Sequence, residues 1–320
     1  MSAADAPHTS SPSPSPSSLL PTAPLAAGAH TVDIGGIAQR YHVHGTGPVC
    51  VAHSGGPGIF WEYLRIPALE RHLTMVYPEP IGTGASGRLS SHPHGYTRPR
   101  YSEFLDALIA HLGVPEVYLL GHSHGGFVVQ HHALHRPERV AGVILYDSAP
   151  VTGPEHVAEA VRMVRAFAER HADHPELPEI LQAFQDIPTI SDDARMTAVI
   201  KTLFPLYFAD YWGQEQHLAP LRASLQGSHI SGLDEDLAPD VVDDRAELGS
   251  LTVPALVVVG RHDFICGVRW AEELHRLIPD ARLLVLENSG HFGHIEEPEA
   301  FARAVTGFVA SVSAADRTGN

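Results

Sequence analysis

Lysine is nearly missing from this chain. Of its 320 residues, 21 are Lys or Arg and 37 are Asp or Glu, which leaves a formal charge of −16 with the histidines neutral. Lys201 is the single lysine. Nucleic-acid recognition needs a cationic face against phosphate, so this balance argues against that class of function. Cysteine is as scarce: Cys50 and Cys266 stand alone and form no Cys-x-x-Cys spacing, so neither a disulfide framework nor a zinc or redox motif is indicated. They read as two reduced structural thiols. No stretch approaches about 20 uninterrupted apolar residues, so no membrane span is expected. No basic residue precedes Arg40, and the start therefore lacks both the positive region of a secretory signal and a twin arginine. The expected location is the cytoplasm.

What is present is globular in character, with 44% apolar and 18% charged residues. Histidine is abundant, at 23 residues, and partial protonation of so many imidazoles accounts for a sequence pI near 5.7 despite the acidic excess. Residues 1–28 are rich in Ser, Pro and Ala and carry no hydrophobic period, which predicts a disordered tail. From His30 onward, β-branched runs alternate with helical stretches, the pattern of a mostly parallel sheet wrapped by helices. Eight strands are expected: Thr31 to Ile34, Ala38 to His44, Val49 to His53, Met75 to Tyr77, Val117 to Leu120, Val140 to Leu145, Ala255 to Val259 and Leu283 to Leu286. The last five are continuous apolar runs, suited to burial on both faces, whereas the alternation Tyr41-His42-Val43-His44 suits an antiparallel edge hairpin. Between 151 and 250 the strand pattern gives way to amphipathic stretches such as His156 to Arg170 and Glu179 to Gln185. This reads as a helical cap inserted into one core made of residues 29–150 and 251–314.

The segment Gly121-His122-Ser123-His124-Gly125 lies between an apolar strand and the helical stretch Phe127 to Leu134. A serine on a sharp strand-to-helix turn is exposed at the top of a sheet, and the flanking glycines let neighbouring backbone approach it. The following helix points its positive end at the site. A serine is a poor nucleophile by itself, so the reading demands an acid and a histidine further along, in that order. Asp263, in Gly260-Arg261-His262-Asp263, follows the strand ending at Val259. His291, in Ser289-Gly290-His291-Phe292, follows the strand ending at Leu286. Carboxyl ends of parallel strands share one sheet edge, so the three side chains can converge. His291 would take the proton of Ser123, and Asp263 would fix the tautomer of His291. The loop Ser54-Gly55-Gly56-Pro57-Gly58 offers backbone amides for an oxyanion, with the amide of His124 on one side and that of Gly56 or Gly55 opposite.

With these motifs the chain resembles the α/β-hydrolase superfamily, and within it the proline iminopeptidase-like branch. The resemblance rests on Gly-Gly-Pro-Gly at 55–58, the turn Gly82-Thr83-Gly84-Ala85-Ser86-Gly87, the Gly-His-Ser-His-Gly-Gly elbow, and Gly290-His291-Phe292 followed by Glu296-Glu297-Pro298. It spans roughly residues 30–312, with the cap matching loosely. Two positions depart from the branch: Ser54 stands where a histidine is usual, with His53 one place earlier, and Glu79-Pro80-Ile81-Gly82 lacks the usual arginine. The resemblance implies an α/β-hydrolase fold, a Ser-Asp-His triad, no cofactor, and a small-molecule or short-peptide substrate. Its iminopeptidase branch holds a free amine with cap carboxylates, for which Glu215, Asp234, Glu235 and Asp236 are available; a solvated acidic loop is the plainer reading of these residues.

Several residues compete for these roles. Asp147, after the strand ending at Leu145, rivals Asp263, while His262 and His294 rival His291. His131 and His135 sit four apart on one helical face, but residue 132 is His where a zinc-binding helix of that type carries Glu, so no metal is expected. Trp61, Tyr207, Phe208, Tyr211 and Trp212 are available to line an acyl pocket or to pack a core. The expected activity is hydrolysis of an amide or ester through an acyl-enzyme, with iminopeptidase-type cleavage first. An esterase or lactonase acting on a small metabolite is the alternative, and a ligand-binding homologue without turnover is the alternative of another class. Epoxide hydrolases and dehalogenases, which use Asp as nucleophile, do not fit Ser123.

Overall fold

The computed structural model describes residues 23–318, the last four of them by backbone alone. Most of the Ser/Pro-rich tail therefore lies outside the described residues. Its last part does not behave as a free tail: Leu25 packs on the core, and the carbonyl of Pro24 accepts from the Tyr41 hydroxyl at 3.0 Å. The chain then enters β1 (Gly28–Ile34), β2 (Ile37–His44) and β3 (Val49–His53). Helix α1 (Pro67–Glu70), β4 (Thr74–Pro78), α2 (Arg98–Leu112), β5 (Val117–His122), α3 (His124–His135) and β6 (Val140–Tyr146) follow. Next come four helices, α4 (Pro154–Arg170), α5 (Leu177–Asp186), α6 (Asp193–Leu203) and α7 (Glu215–Ser224). The chain closes with β7 (Ala255–Gly260), α8 (Val268–Leu277), β8 (Ala281–Leu286), α9 (Gly293–Glu296) and α10 (Pro298–Thr318).

The eight strands form one sheet in the order β1-β2-β4-β3-β5-β6-β7-β8. β1 and β2 are antiparallel to their neighbours, and every pair from β4 to β8 is parallel. The β1–β2 turn closes on Gly35 and Gly36, both at positive φ (60° and 85°), as a two-residue hairpin requires. Strand alternation splits the core. Val51, Leu119, Val143, Leu145 and Val257 face α2, α3 and α8, while Cys50, Leu120, Ile144, Tyr146 and Val258 face α10 and residues Phe204 to Leu225. All eight expected strands form, most of them a residue or more longer than their apolar runs. β8 differs from expectation in burial: it is the outer strand, so only Leu286 is fully buried and Arg282 is exposed.

Candidate active site

Strands β5, β6, β7 and β8 are parallel neighbours, and the residues that follow them share one edge: Ser123, Asp147, Asp263 and His291. Ser123 sits between β5 and α3 with φ 55° and ψ −120°, a conformation that an L-residue holds only when its surroundings impose it. Its N–H donates to Tyr146 O at 2.9 Å and its carbonyl accepts from Gly126 at 2.8 Å. The glycines of the motif answer to close packing, since a Cβ on Gly125 would collide with the carbonyl of His53 and one on Gly121 with the carbonyl of Gly125.

Asp263 is fully buried, and its Oδ1 accepts the amides of Ile265 at 2.9 Å and Cys266 at 3.2 Å. Its Oδ2 lies 2.9 Å from His291 Nδ1. The approach is bent away from the line of a well-directed hydrogen bond, and neither atom has another partner. His291 is held by its own backbone, whose N–H donates to Tyr207 O at 2.7 Å. Two glutamates fix the rest of that loop. Glu296 accepts from Gly290 N at 2.6 Å and Ala209 N at 2.8 Å, and Glu297 accepts from Asn288 N at 2.9 Å and Ser289 Oγ at 2.6 Å. Burial pushes the Glu296 carboxyl up to about 7 against the pull of those amides. The sequence resemblance marked Glu296 and Glu297 only as part of an ending; their clamping role had no sequence signal.

The oxyanion loop corrects one expectation. The Gly55 N–H is taken by the Tyr63 hydroxyl at 2.6 Å, so Gly55 does not offer a free amide. Tyr63 in turn meets His122 Nδ1 at 2.8 Å, and His122 Nε2 meets the carbonyl of His291 at 2.9 Å. A carbonyl only accepts, so Nε2 carries the proton and Nδ1 accepts from Tyr63. Burial holds His122 well below the usual histidine range, consistent with that neutral tautomer. One buried chain thus ties the 54–58 loop, the turn at Ser123 and the loop carrying His291. Neither Tyr63 nor the side chain of His122 had been singled out from sequence. The amide of Gly56 and that of His124, the first residue of α3, remain the candidates for an oxyanion. The loop is fastened to the end of the helical segment through Ile59 bridging Gly227 and Ser228 N bonding Gly58 O at 2.8 Å.

Gly55, Gly56, Ile59, Tyr63, Ser123, Tyr207 and His291 are among the residues lining a narrow pocket at this edge. A larger cavity of about 390 Å³ shares Gly56, Ile59, Tyr207 and Ile265 with it and extends beneath Ile187, Met196, Ile200, Leu203 and Ile230. No Asp, Glu, Lys or Arg lines that cavity; its one titratable group besides Tyr207 is His229. Of the candidate substrate residues, Tyr207 is at the site, with its ring 5.6 Å from that of His291. The other three are elsewhere. Trp61 stacks on His42 at 4.2 Å and abuts Tyr77 at the β2–β4 end of the sheet. Trp212 stacks on His174 at 3.7 Å and donates to Glu176, within the helical segment. Glu215 opens α7 and is exposed. Large aromatics and acids in the segment were equally good candidates by type, and only packing separates them. Phe208 and Tyr211 are core residues. Asp234, Glu235 and Asp236 border a separate surface groove with Arg100 and Glu103, and Asp234 caps its own turn through the amides of Asp236 and Ala238.

Among the rivals, His294 is buried between the Tyr146 hydroxyl (2.9 Å) and the Tyr63 carbonyl (2.8 Å), and His262 is half-buried. The rings of His131 and His135 lie 4.2 Å apart, and His135 faces Glu247 on the surface. Among the described residues, one group has metal-like spacing: His122, Asp147 and His291, with ligand atoms within 4.8 Å of one another. Both nitrogens of His122 are already engaged, so it has no lone pair to give a cation.

A serine at positive φ, an imidazole and a carboxylate stand together at one edge of a mostly parallel sheet wrapped by helices, which is an α/β architecture. The family profile described as alpha/beta hydrolase fold matches residues 48–298, and the chain belongs to that family. The chain is 28% identical over 276 residues to a 2-hydroxymuconate semialdehyde hydrolase of Pseudomonas putida, covering 85% of this chain and 87% of that one. It is 25% identical to the proline iminopeptidase PfmaB of Pestalotiopsis fici, over 86% and 96% of the two chains. A hydrolase of Pseudomonas aeruginosa PA01 superposes with a TM-score of 0.66 at 25% identity, over 88% of this chain and 98% of that chain. Among the described residues no helix is long and apolar enough to cross a membrane.

Proposed function

We propose that this protein is a serine hydrolase that cleaves an ester or lactone with a compact apolar acyl group, through an acyl-enzyme on Ser123. The observation that carries the reading is the cavity of about 390 Å³ adjoining the serine pocket, walled by Ile, Met, Leu and Val with no carboxylate. An aminopeptidase must hold an ammonium beside the scissile bond, and an unpaired cation in such a wall is strongly disfavoured. An uncharged acyl chain fits it. Names among the relatives point both ways: the Pseudomonas putida protein is a semialdehyde hydrolase and the Pestalotiopsis fici protein an iminopeptidase.

In this mechanism Ser123 Oγ attacks the acyl carbon while His291 Nε2 takes its proton, and the Asp263 carboxylate beside Nδ1 offsets the charge on the imidazolium. The amides of Gly56 and His124 receive the oxyanion. As the tetrahedral species collapses, His291 returns the proton to the leaving alkoxide. Water, deprotonated by His291, then releases the acid and restores Ser123. The elements around the site are held by backbone hydrogen bonds, which supplies the preorganisation this chemistry needs.

The test is a substrate panel of p-nitrophenyl esters from acetate to hexanoate against proline p-nitroanilide, free and N-blocked. A kcat/KM for butyrate above that for the free proline anilide supports the reading; the reverse order, with the blocked anilide rejected, returns the assignment to an iminopeptidase. Labelling by a fluorophosphonate that disappears in Ser123→Ala separates either enzyme from a ligand-binding homologue, which would not label when folded.

A further inference from the structure

The proposed mechanism uses one carboxylate, and the structure holds two. Asp147 follows β6, between the strands that deliver Ser123 and Asp263, and is fully buried. Its backbone sits at φ 46°, one of three non-glycine residues at positive φ among those described, with Ser123 another. Its N–H donates to Val258 O at 2.8 Å, and its Oδ1 accepts from Gly260 N at 2.9 Å, three residues before Asp263. Its Oδ2 has no hydrogen-bond partner and lies 4.0 Å from His122 Nε2, whose proton is committed to the His291 carbonyl. Asp147, His122 and His291 each bring an atom within 4.8 Å of the others. A strained, fully buried carboxyl with a free oxygen beside the general base calls for an explanation beyond locking a turn.

We propose that Asp147 is a reserve acid for His291, neutral and idle while Asp263 carries the charge and taking over as counter-charge when the charge of Asp263 is removed. The inference rests on the serine-hydrolase reading above. Its electrostatic basis is that two carboxyls this close in a dry site do not both ionise. Burial first, and the charge of Asp263 second, push the Asp147 carboxyl well above the ordinary range, while the amide of Gly260 and the nearby Tyr146 hydroxyl pull the other way. Glu296, Tyr146, Tyr63, Cys266, His122 and His291 are the other titratable groups around it, and no Lys or Arg is among them. Asp263 is the better placed of the two, with two amides on Oδ1 and its Oδ2 at 2.9 Å from Nδ1. Replacing it by Asn removes the repulsion; Asp147 then releases its proton to solvent and becomes the charge that stabilises the imidazolium. A purely structural Asp147 would hold the Gly260 amide and do nothing more.

Asn is the isostere of a protonated Asp and keeps the oxygen that accepts from Gly260, so Asp147→Asn separates the two roles. The experiment measures kcat and KM for a p-nitrophenyl ester, with rates of fluorophosphonate labelling, in wild type, D147N, D263N and D147N/D263N. Expected are a change within about threefold for D147N, a loss of about 10²-fold in kcat for D263N, and about 10⁴-fold for the double variant, with KM steady; the last is the loss typical of a triad whose acid has no substitute. A double variant no slower than D263N overturns the proposal, as does a D147N as slow as D263N. Should D147N/D263N fail to fold, D147N/D263A against D263A makes the same comparison, since the amide of D147N keeps the oxygen that accepts from Gly260. Activity retained by Ser123→Ala would instead overturn the serine-hydrolase reading, whatever the aspartates do.

Discussion

The strand ends that carry Ser123 and His291 and the segment 187–207 border adjoining cavities, yet they hold their residues by different means. Ser123 is fixed by backbone bonds to Tyr146 and Gly126, Asp263 by two amides, and His291 by the Tyr207 carbonyl. Met196, Ile200 and Leu203 reach the cavity from α6, held by apolar packing, while Ile187, from the turn before it, lines the cavity and stays largely exposed. Backbone hydrogen bonds such as those at Ser123 and His291 survive a side-chain change, and an isosteric amide keeps the acceptor oxygen of Asp263, whereas packing is redistributed by substitution. The chemistry should therefore be breakable one group at a time without loss of fold, and the selectivity should be adjustable by volume.

The largest expected effect breaks the first half of that contrast. Ser123→Ala should lower kcat by about 10⁶-fold, the scale seen when a triad nucleophile is removed, with the thermal midpoint unchanged or higher. A variant that loses activity only because it unfolds would show that the rim is not independently held. Next in size is Tyr63→Phe, which strips the Gly55 amide of its acceptor and His122 Nδ1 of its donor in a buried chain. Leaving such groups unpaired costs roughly 1–3 kcal/mol, so denaturant unfolding should shift by that amount. If Gly55 is freed to swing toward the oxyanion, kcat changes as well; stability falling with kcat constant would confine Tyr63 to scaffolding.

The second half is tested by Met196→Phe. Met196 is partly buried on the cavity wall and flexible enough to be replaced without strain. The larger ring should cut kcat/KM for hexanoate relative to acetate by about tenfold, within the range a pocket commands per methylene or two. Equal loss across the ester series would mean that the acyl group does not lie along this wall.

The same contrast governs what was legible in the sequence. Strand positions followed from apolar runs because burial on both faces leaves no polar alternation, and Ser123, Asp263 and His291 followed from standing directly after such runs. β8 broke the burial rule because an outer strand keeps the apolar residues of its inner neighbours without their cover. The network Gly55-Tyr63-His122-His291 was not legible: it joins residues from four separate segments, and a tyrosine in a short turn carries no mark of its partner. Trp61, Trp212 and Glu215 were chosen by residue type, and type does not distinguish a wall of the cavity from the stack on His42 or the stack on His174. Tyr207 lies beside His291 for a backbone reason, since its carbonyl accepts from the His291 N–H and so places its ring there.

The smallest expected effect lies where the two regions are joined. Glu296 bonds Gly290 on the histidine loop and Ala209 on the helical side, so its carboxyl bridges the two. Its folded-state value is raised, by burial, from the ordinary 4.5 to about 7. A carboxyl raised on folding favours the folded state most when protonated; that contribution is complete below about 4.5 and is lost as pH rises through about 7. Glu296→Gln cannot ionise, and it loses one of the two amide bonds because its NH₂ faces a donor. The variant should therefore be less stable than wild type at pH 5, with the gap in thermal midpoint narrowing steadily toward pH 8. Taking the difference between the two proteins removes the opposite slope from His53, His122 and His294, whose buried rings are all held below the usual histidine range. A gap independent of pH would mean that Glu296 is ionised throughout, and that the join between rim and helices is held by charge and not by a neutral clasp.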